Sequence, residues 1–129
     1  LTMRNVIIGL LLIIGFSSFI NPISDEIAAA IKAGDAKVIA THFNKSVDLS
    51  IPGNEGVFSK TQAELILKTF FSKHTPSDFK IVHNGDSKNN SHYSIGNLTT
   101  SKGIYRTYIL YKEMNKTVTI LELRIESDE

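Results

Sequence analysis

The chain has 129 residues, no cysteine, and 14 Lys and Arg against 13 Asp and Glu, for a formal net charge of +1. Lysines scattered along a nearly neutral chain argue against nucleic acid as a partner. Without cysteine there is neither a disulfide nor a lipid-attached thiol, so stability rests on packing.

The N-terminus reads as a targeting segment. Met3-Arg4-Asn5 is followed by Val6 to Phe16, all apolar or glycine, then by Ser17-Ser18 and Asn21-Pro22, and no acid occurs before Asp25. A basic start, a short apolar core and small residues after it are the parts of a secretory signal. The apolar run ends at Ile20, short for a membrane-spanning helix of roughly 20 residues. The reading is a cleaved signal peptide over residues 1–22, cut near residues 19 to 22, with a retained single-pass anchor as the alternative. Arg4 is the only charge in that segment, so the thirteen remaining Lys and Arg balance the thirteen Asp and Glu and residues 23–129 form one neutral domain.

The first helix starts at Ser24, an N-cap, with Asp25 and Glu26 in its positive first turn. Ile23, Ile27 and Ile31 fall on one face, and Gly34 suits the stop. Asp35 caps a second short helix running to Phe43. Val47 to Ile51 alternates as a strand, Pro52-Gly53 turns it, and Val57-Phe58 returns. Ser59-Lys60-Thr61-Gln62 is a capping box. Behind it Ala63, Ile66, Leu67, Phe70 and Phe71 follow helical spacing up to Thr75-Pro76. From there the period becomes two, with strands at 79–84, 92–100, 104–113 and 117–126 joined by turns at Ser87–Asn90, Ser101-Lys102-Gly103 and Asn115-Lys116. The fold class is α+β: three N-terminal helices packed on a curved antiparallel sheet of four main strands plus a short first hairpin.

Two-residue loops pair Thr100 with Gly103 and Met114 with Thr117. Tyr93, Ile95 and Asn97 then lie opposite Leu110, Tyr108 and Arg106, and the last strand adds Leu121, Leu123 and Ile125 to that face, conditional on the loop lengths. The other face carries Tyr105, Thr107, Ile109, Tyr111, Ile120, Glu122 and Arg124. A mixed face with aromatics suits a homodimer contact through Tyr105, Ile109, Tyr111 and Ile120.

The element order resembles the nuclear transport factor 2-like superfamily, the cystatin-like cone of helices wrapped by a curved sheet. The stretch that carries the likeness runs from His42-Phe43-Asn44 through Val47-Asp48-Leu49, Pro52-Gly53 and Gly56-Val57-Phe58-Ser59 to Phe70-Phe71. More closely, the chain resembles a small family of exported proteins of Gram-negative bacteria with no assigned activity. Ile27 to Gly34, Glu55 to Lys60, Gly96 to Thr100 and Glu122 to Glu126 carry that likeness, which implies a periplasmic or secreted location. Ketosteroid isomerase-like members of the superfamily place a general-base Asp just before the proline after the first strand. Here that position is Ile51, which cannot take a proton, so the resemblance implies no isomerase chemistry by that route.

For chemistry, Arg106 with Asn97, Tyr108 and Tyr93 forms the candidate ligand site: a guanidinium, an amide and phenols among aliphatic residues inside the cone, suited to a small apolar or anionic ligand. The competing reading of Arg106 is a stem packed at the rim with its head in water. His83 and His92 would share a metal only if a two-residue Ser87-Lys88 loop set them opposite each other; no metal or cofactor is expected. His42 caps the end of the second helix or packs locally, Glu122 and Arg124 share one face of the last strand and read as cross-strand charge pairing or a dimer-interface ion pair, with an acid in a site as the alternative, and Asp48 is solvated. No nucleophile signature occurs, so no catalytic residue is assigned. The function expected is a non-catalytic, dimeric ligand- or partner-binding module, with no nucleic acid and, in its mature form, no membrane. An isomerase- or dehydratase-like enzyme using Arg106, Tyr108 and a histidine is one alternative. A structural interaction protein with a core filled by Phe70, Phe71, Tyr93 and Leu110 is the other.

Overall fold

A computed structural model describes residues 23–128; the expected leader falls outside the described residues. Helix α1 spans Asp25–Ala33. The Ser24 hydroxyl accepts the Ile27 N–H, and Gly34 closes the helix in the left-handed region at φ 69°. Helix α2, Ala36–Thr41, is capped by Asp35 and ends two residues before Phe43, because His42 closes its last turn and Phe43 already belongs to a strand. Strands β1 (Phe43–Ile51) and β2 (Asn54–Ser59) form the first hairpin. Helix α3, Lys60–Lys73, opens with the Ser59/Gln62 capping box and buries Ala63, Leu67, Phe70 and Phe71. Strands β3 (Pro76–Asp86), β4 (Ser91–Thr100), β5 (Gly103–Met114) and β6 (Thr117–Ser127) follow as a meander.

The element order is the expected one: two helices, the short hairpin, a third helix and a four-strand meander, so only two of the three helices precede the first hairpin. The departure lies in the sheet, where the hairpin is no separate ribbon. β1 runs parallel to β6, so all six strands form one mixed sheet in the order β2-β1-β6-β5-β4-β3. Spacing within each segment reports nothing about a pairing between strands so distant in the chain.

The expected hairpin registers hold: Thr100 faces Gly103, Met114 faces Thr117, and Tyr93, Ile95 and Asn97 face Leu110, Tyr108 and Arg106. Asn115 and Lys116, at φ 52° and 66°, make the two-residue turn whose twist matches the strands. The face assignment of β6 does not hold. Tyr111 pairs with Ile120 but Leu110 pairs with Glu122, so Leu121 is an extra residue in a bulge. Val118 and Ile120 before the bulge, and Leu123 and Ile125 after it, all turn to one side.

That side packs on the helices. Leu98, Ile109, Tyr111, Ile120, Leu123 and Ile125 meet Ile27, Ile31, Ile39, Leu67, Phe70 and Phe71 in one core. The residues expected to form a dimer contact are therefore interior: Ile109, Tyr111 and Ile120 are 0% exposed, and Tyr105 is packed against the same cluster. Tyr93 and Leu110, expected to fill the core, lie on the opposite side of the sheet, half-buried. Each fully buried Ile or Leu contributes about 1.5–3 kcal/mol, so the bulge, which keeps four apolar residues of β6 inward, outweighs the lost ladder pairing.

Tyr111 sits at the polar end of this core. Its hydroxyl lies beside Ser94, whose own Oγ donates to Asn84 Oδ1 at 2.7 Å, and it closes no hydrogen bond itself. Burial, the largest cause, pushes the Tyr111 phenol up from its ordinary value. A raised folded-state pKa gives stability that is full below the unfolded value, about pH 10, and that is lost as pH rises through the folded value. Tyr111→Phe is expected to flatten the alkaline fall in melting temperature between about pH 9 and about pH 11 relative to wild type. Equal slopes would refute it.

Candidate functional site

With one face of the sheet sealed by helices, the other is left open. Strands β3 to β6 carry His83, Tyr93, Tyr108 and Arg124 across it in a row. His83 Nε2 is 3.1 Å from the Tyr93 hydroxyl. The Tyr93 and Tyr108 rings lie 5.8 Å apart and 23° from parallel. The Arg124 guanidinium carbon stands 5.2 Å from the Tyr108 ring centre, within cation–π range. Its Nε donates to Glu122 Oε2 at 2.7 Å and its Nη2 stands 2.7 Å from the same oxygen, an ion pair between two residues of β6 on the same side.

Local sequence explains the row. Gly85 faces Tyr93 across β3 and β4, and a Cβ on it would come within 2.5 Å of the tyrosine ring, so the glycine clears the space in which the ring lies. Tyr93 and Tyr108 sit on a cross-strand diagonal, since Tyr93 pairs with Leu110 and Ile95 with Tyr108. Beside the row is a depression of about 260 Å³ lined by Ile95, Arg106, Tyr108, Arg124 and Glu126.

Burial first, and then the Glu122 charge, raise the Tyr108 phenol above its ordinary value. The hydrogen bond that Arg124 donates to Glu122, followed by the Glu122 charge, raises Arg124 above its ordinary value. These are the shifts of a positioned ion pair against an aromatic ring. Neither group is poised to exchange a proton near neutrality.

The four expected ligand-site residues are thus brought together, but outside the cone. Arg106 and Asn97 are exposed and Tyr93 and Tyr108 half-buried, all on the open face, which corrects the expectation of an internal pocket. The physical reason is the Leu121 bulge, which sends Leu123 and Ile125 to the side opposite Tyr108. His83 and His92 are not opposite each other, because the loop holds four residues, Ser87 to Asn90. His83 pairs with Ile95, and His92 pairs with Asp86, whose carboxylate it meets at 2.8 Å. His42 closes α2 as expected and approaches Glu26 at 3.6 Å. Ile51 is 4% exposed and faces the core. A carboxylate in its place would be buried among apolar side chains.

The sequence reading missed the share that Arg124 and Ile95 have in this surface. One signal could have found it. The chain has eleven lysines but only three arginines, Arg4, Arg106 and Arg124. Both described arginines stand on this face, flanking Tyr108, while Lys80 and Lys112 sit toward its margins. Arginine is enriched in protein interfaces and lysine depleted, so the segregation marks a surface built for contact.

The family model described as Domain of unknown function (DUF4783) matches residues 24–126. The crystal structure of a DUF4783 family protein from Bacteroides ovatus superposes with a TM-score of 0.75 at 25% identity, covering 83% of this chain and 96% of that one. A DUF4783 family protein from Bacteroides fragilis gives 0.74 at 28% identity, covering 81% and 98%. A designed nuclear transport factor 2-type protein with a long sheet gives 0.60 at 15% identity, covering 78% and 94%; at that identity the likeness concerns the fold alone, which is nuclear transport factor 2-like. No curated protein matches the chain.

Proposed function

The chain belongs to the DUF4783 family, and we propose that it is a non-catalytic interaction module whose working surface is the open face of its sheet, occupied by a second copy of the chain. The observation that carries this reading is the gathering of both described arginines and two of the four tyrosines around one half-apolar surface. Tyrosine and arginine dominate interface energetics. The face is also self-complementary, because Arg106 and Arg124 alternate with Glu122 and Glu126 on adjacent strands. A two-fold axis through it would set one copy's arginines against the other's carboxylates. With strands about 4.8 Å apart and a rise of about 3.4 Å per residue, a six-stranded face covers on the order of 800 Å², the share of one partner in a standard interface.

The non-catalytic part of the reading is supported by Ile51 at the general-base position and by the apolar filling between helices and sheet. The same reading places the module in the periplasm or outside the cell, delivered by the leader of residues 3–20. The test is native mass spectrometry of the protein isolated from its cellular fraction, which gives oligomeric state and N-terminal residue together. A dimer at tens of micromolar is expected, starting near residues 19 to 23. Tyr108→Glu is expected to weaken it by about a hundredfold or more while leaving the melting temperature nearly unchanged. A wild-type monomer, or a Tyr108→Glu dimer of unchanged affinity, sinks the interface; an intact leader sinks the delivery.

A further inference from the structure

We infer that the cleft between the β1–β2 turn and α3 is a binding site for a short-chain organic carboxylate. It has a volume of about 110 Å³ and lies on the helix side of the sheet, away from the open face. Its apolar walls are Ile51, Ile66 and Phe70, Asn54 and Thr69 stand at its side, and its rim carries Lys73 and His74. Ile51 and Phe70 are 4% and 5% exposed, so the floor is apolar and fixed.

The rim is held in place. The His74 ring stacks on Phe70 at 4.3 Å and 10°, and Tyr105 stands edge-on to both, at 5.3 Å from His74 and 5.5 Å from Phe70. His74 Nδ1 is 3.0 Å from the Phe70 carbonyl oxygen, the geometry of an N–H donating to it. That bond assigns the proton to Nδ1 and leaves Nε2 for another partner. Neither Nε2 nor the Lys73 ammonium has an ion-pair partner among the described residues.

An apolar cup with a cation and an imidazole at its lip fits one chemical class: a chain of a few carbons ending in a carboxylate. The hydrocarbon end fills the cup, and the carboxylate meets the Lys73 ammonium at the lip. The last turn of α3 brings a partial negative charge of about half a unit, which the full charge of Lys73 outweighs. The volume excludes a drug-sized ligand, for which pockets of about 300 Å³ or more are usual.

The test is a methyl-detected NMR titration of the full chain with butyrate, using 1-butanol as the uncharged counterpart. Saturable shifts at Ile51, Ile66 and Thr69 in the millimolar range are expected with butyrate, with 1-butanol at least about threefold weaker. Lys73→Gln, an exposed position, is expected to weaken butyrate by a similar factor and leave 1-butanol unchanged. Ile66→Trp, which fills the cup, is expected to abolish both. No saturation by tens of millimolar butyrate, equal binding of 1-butanol, or indifference to Lys73→Gln each overturns the inference. The readout lies on the helix side, so it is independent of whether the open face pairs.

Discussion

Ile109→Lys is expected to abolish the native fold, while Leu110→Lys, one residue further along β5, is expected to leave a folded monomer. The two positions differ only in which side of the sheet they face. Ile109 is 0% exposed and packed under the helices, opposite Leu123. Leu110 is half-buried on the open side, opposite Glu122. Among the described residues no carboxylate is buried with Ile109; the buried polar side chains are Ser91, Ser94, Thr100 and Thr107. An unpaired ammonium there meets the penalty of several kcal/mol that burying a lone charge carries, about 3–5 kcal/mol when a partner is missing. That is comparable with the whole stability of a small domain, about 5–15 kcal/mol. At Leu110 a lysine reaches water and stands next to a carboxylate, so the cost to folding is expected within about 1 kcal/mol. Thermal unfolding followed by circular dichroism checks both. A cooperative transition for Ile109→Lys near the wild-type temperature would mean that the faces are assigned the wrong way round.

The second large effect is expected at Gly96→Ala. A Cβ added there would lie 2.6 Å from the Phe79 ring and 2.8 Å from the backbone oxygen of Lys80. The ring can swing aside, but the backbone oxygen belongs to the β3–β4 ladder and cannot. Phe79 lies across the glycine on the core side, so the methyl must push apart either the two strands or the core. Overpacking of this kind costs about 1–3 kcal/mol and sometimes more. With roughly 4–8 °C per kcal/mol for a domain of this size, a drop of about 4–24 °C is expected. Gly53→Ala is the control. Its φ of 89° makes any side chain strained, yet nothing lies within 4 Å, so only the conformational term remains, about 1 kcal/mol. If the two variants melt together, the close approach at Gly96 is not real.

Much of this fold is legible in the sequence wherever the governing chemistry is local. Ser24, Asp35 and the Ser59/Gln62 pair each cap the helix they promise, Gly34 ends the first one, and Asn115-Lys116 turns the last hairpin. What misleads is parity. A strict period of two carried past Ile120 places Glu122 and Arg124 on the same side as Ile109 and Tyr111, and so produces a face that is half core and half charge. The incoherent face was itself the sign of an inserted residue. Shifting the phase by one at Leu121 gives Val118, Ile120, Leu123 and Ile125 on one side and the charges on the other, as observed. The candidate residues were therefore correctly grouped, Arg106 with Tyr108, Asn97 and Tyr93, yet assigned to the wrong side of the sheet. The mixed sheet was out of reach for a different reason: no local signal records that residues near 48 and near 122 are neighbours.

The place of β6 in the sheet sets the timing of folding. It lies between β1 and β5, and it is the last of the described strands to be synthesised. Until it arrives, the N-terminal hairpin and the β3–β5 meander each hold an unfilled edge, and Phe43, Val47 and Leu49 lack the strand beside them. Pairing across so long a stretch of chain is slow, because the loop must close before any contact stabilises it. A nascent chain of this design stays open until β6 has emerged. Insertion of β6 is therefore the step that joins the two halves of the sheet and closes the core beneath the helices.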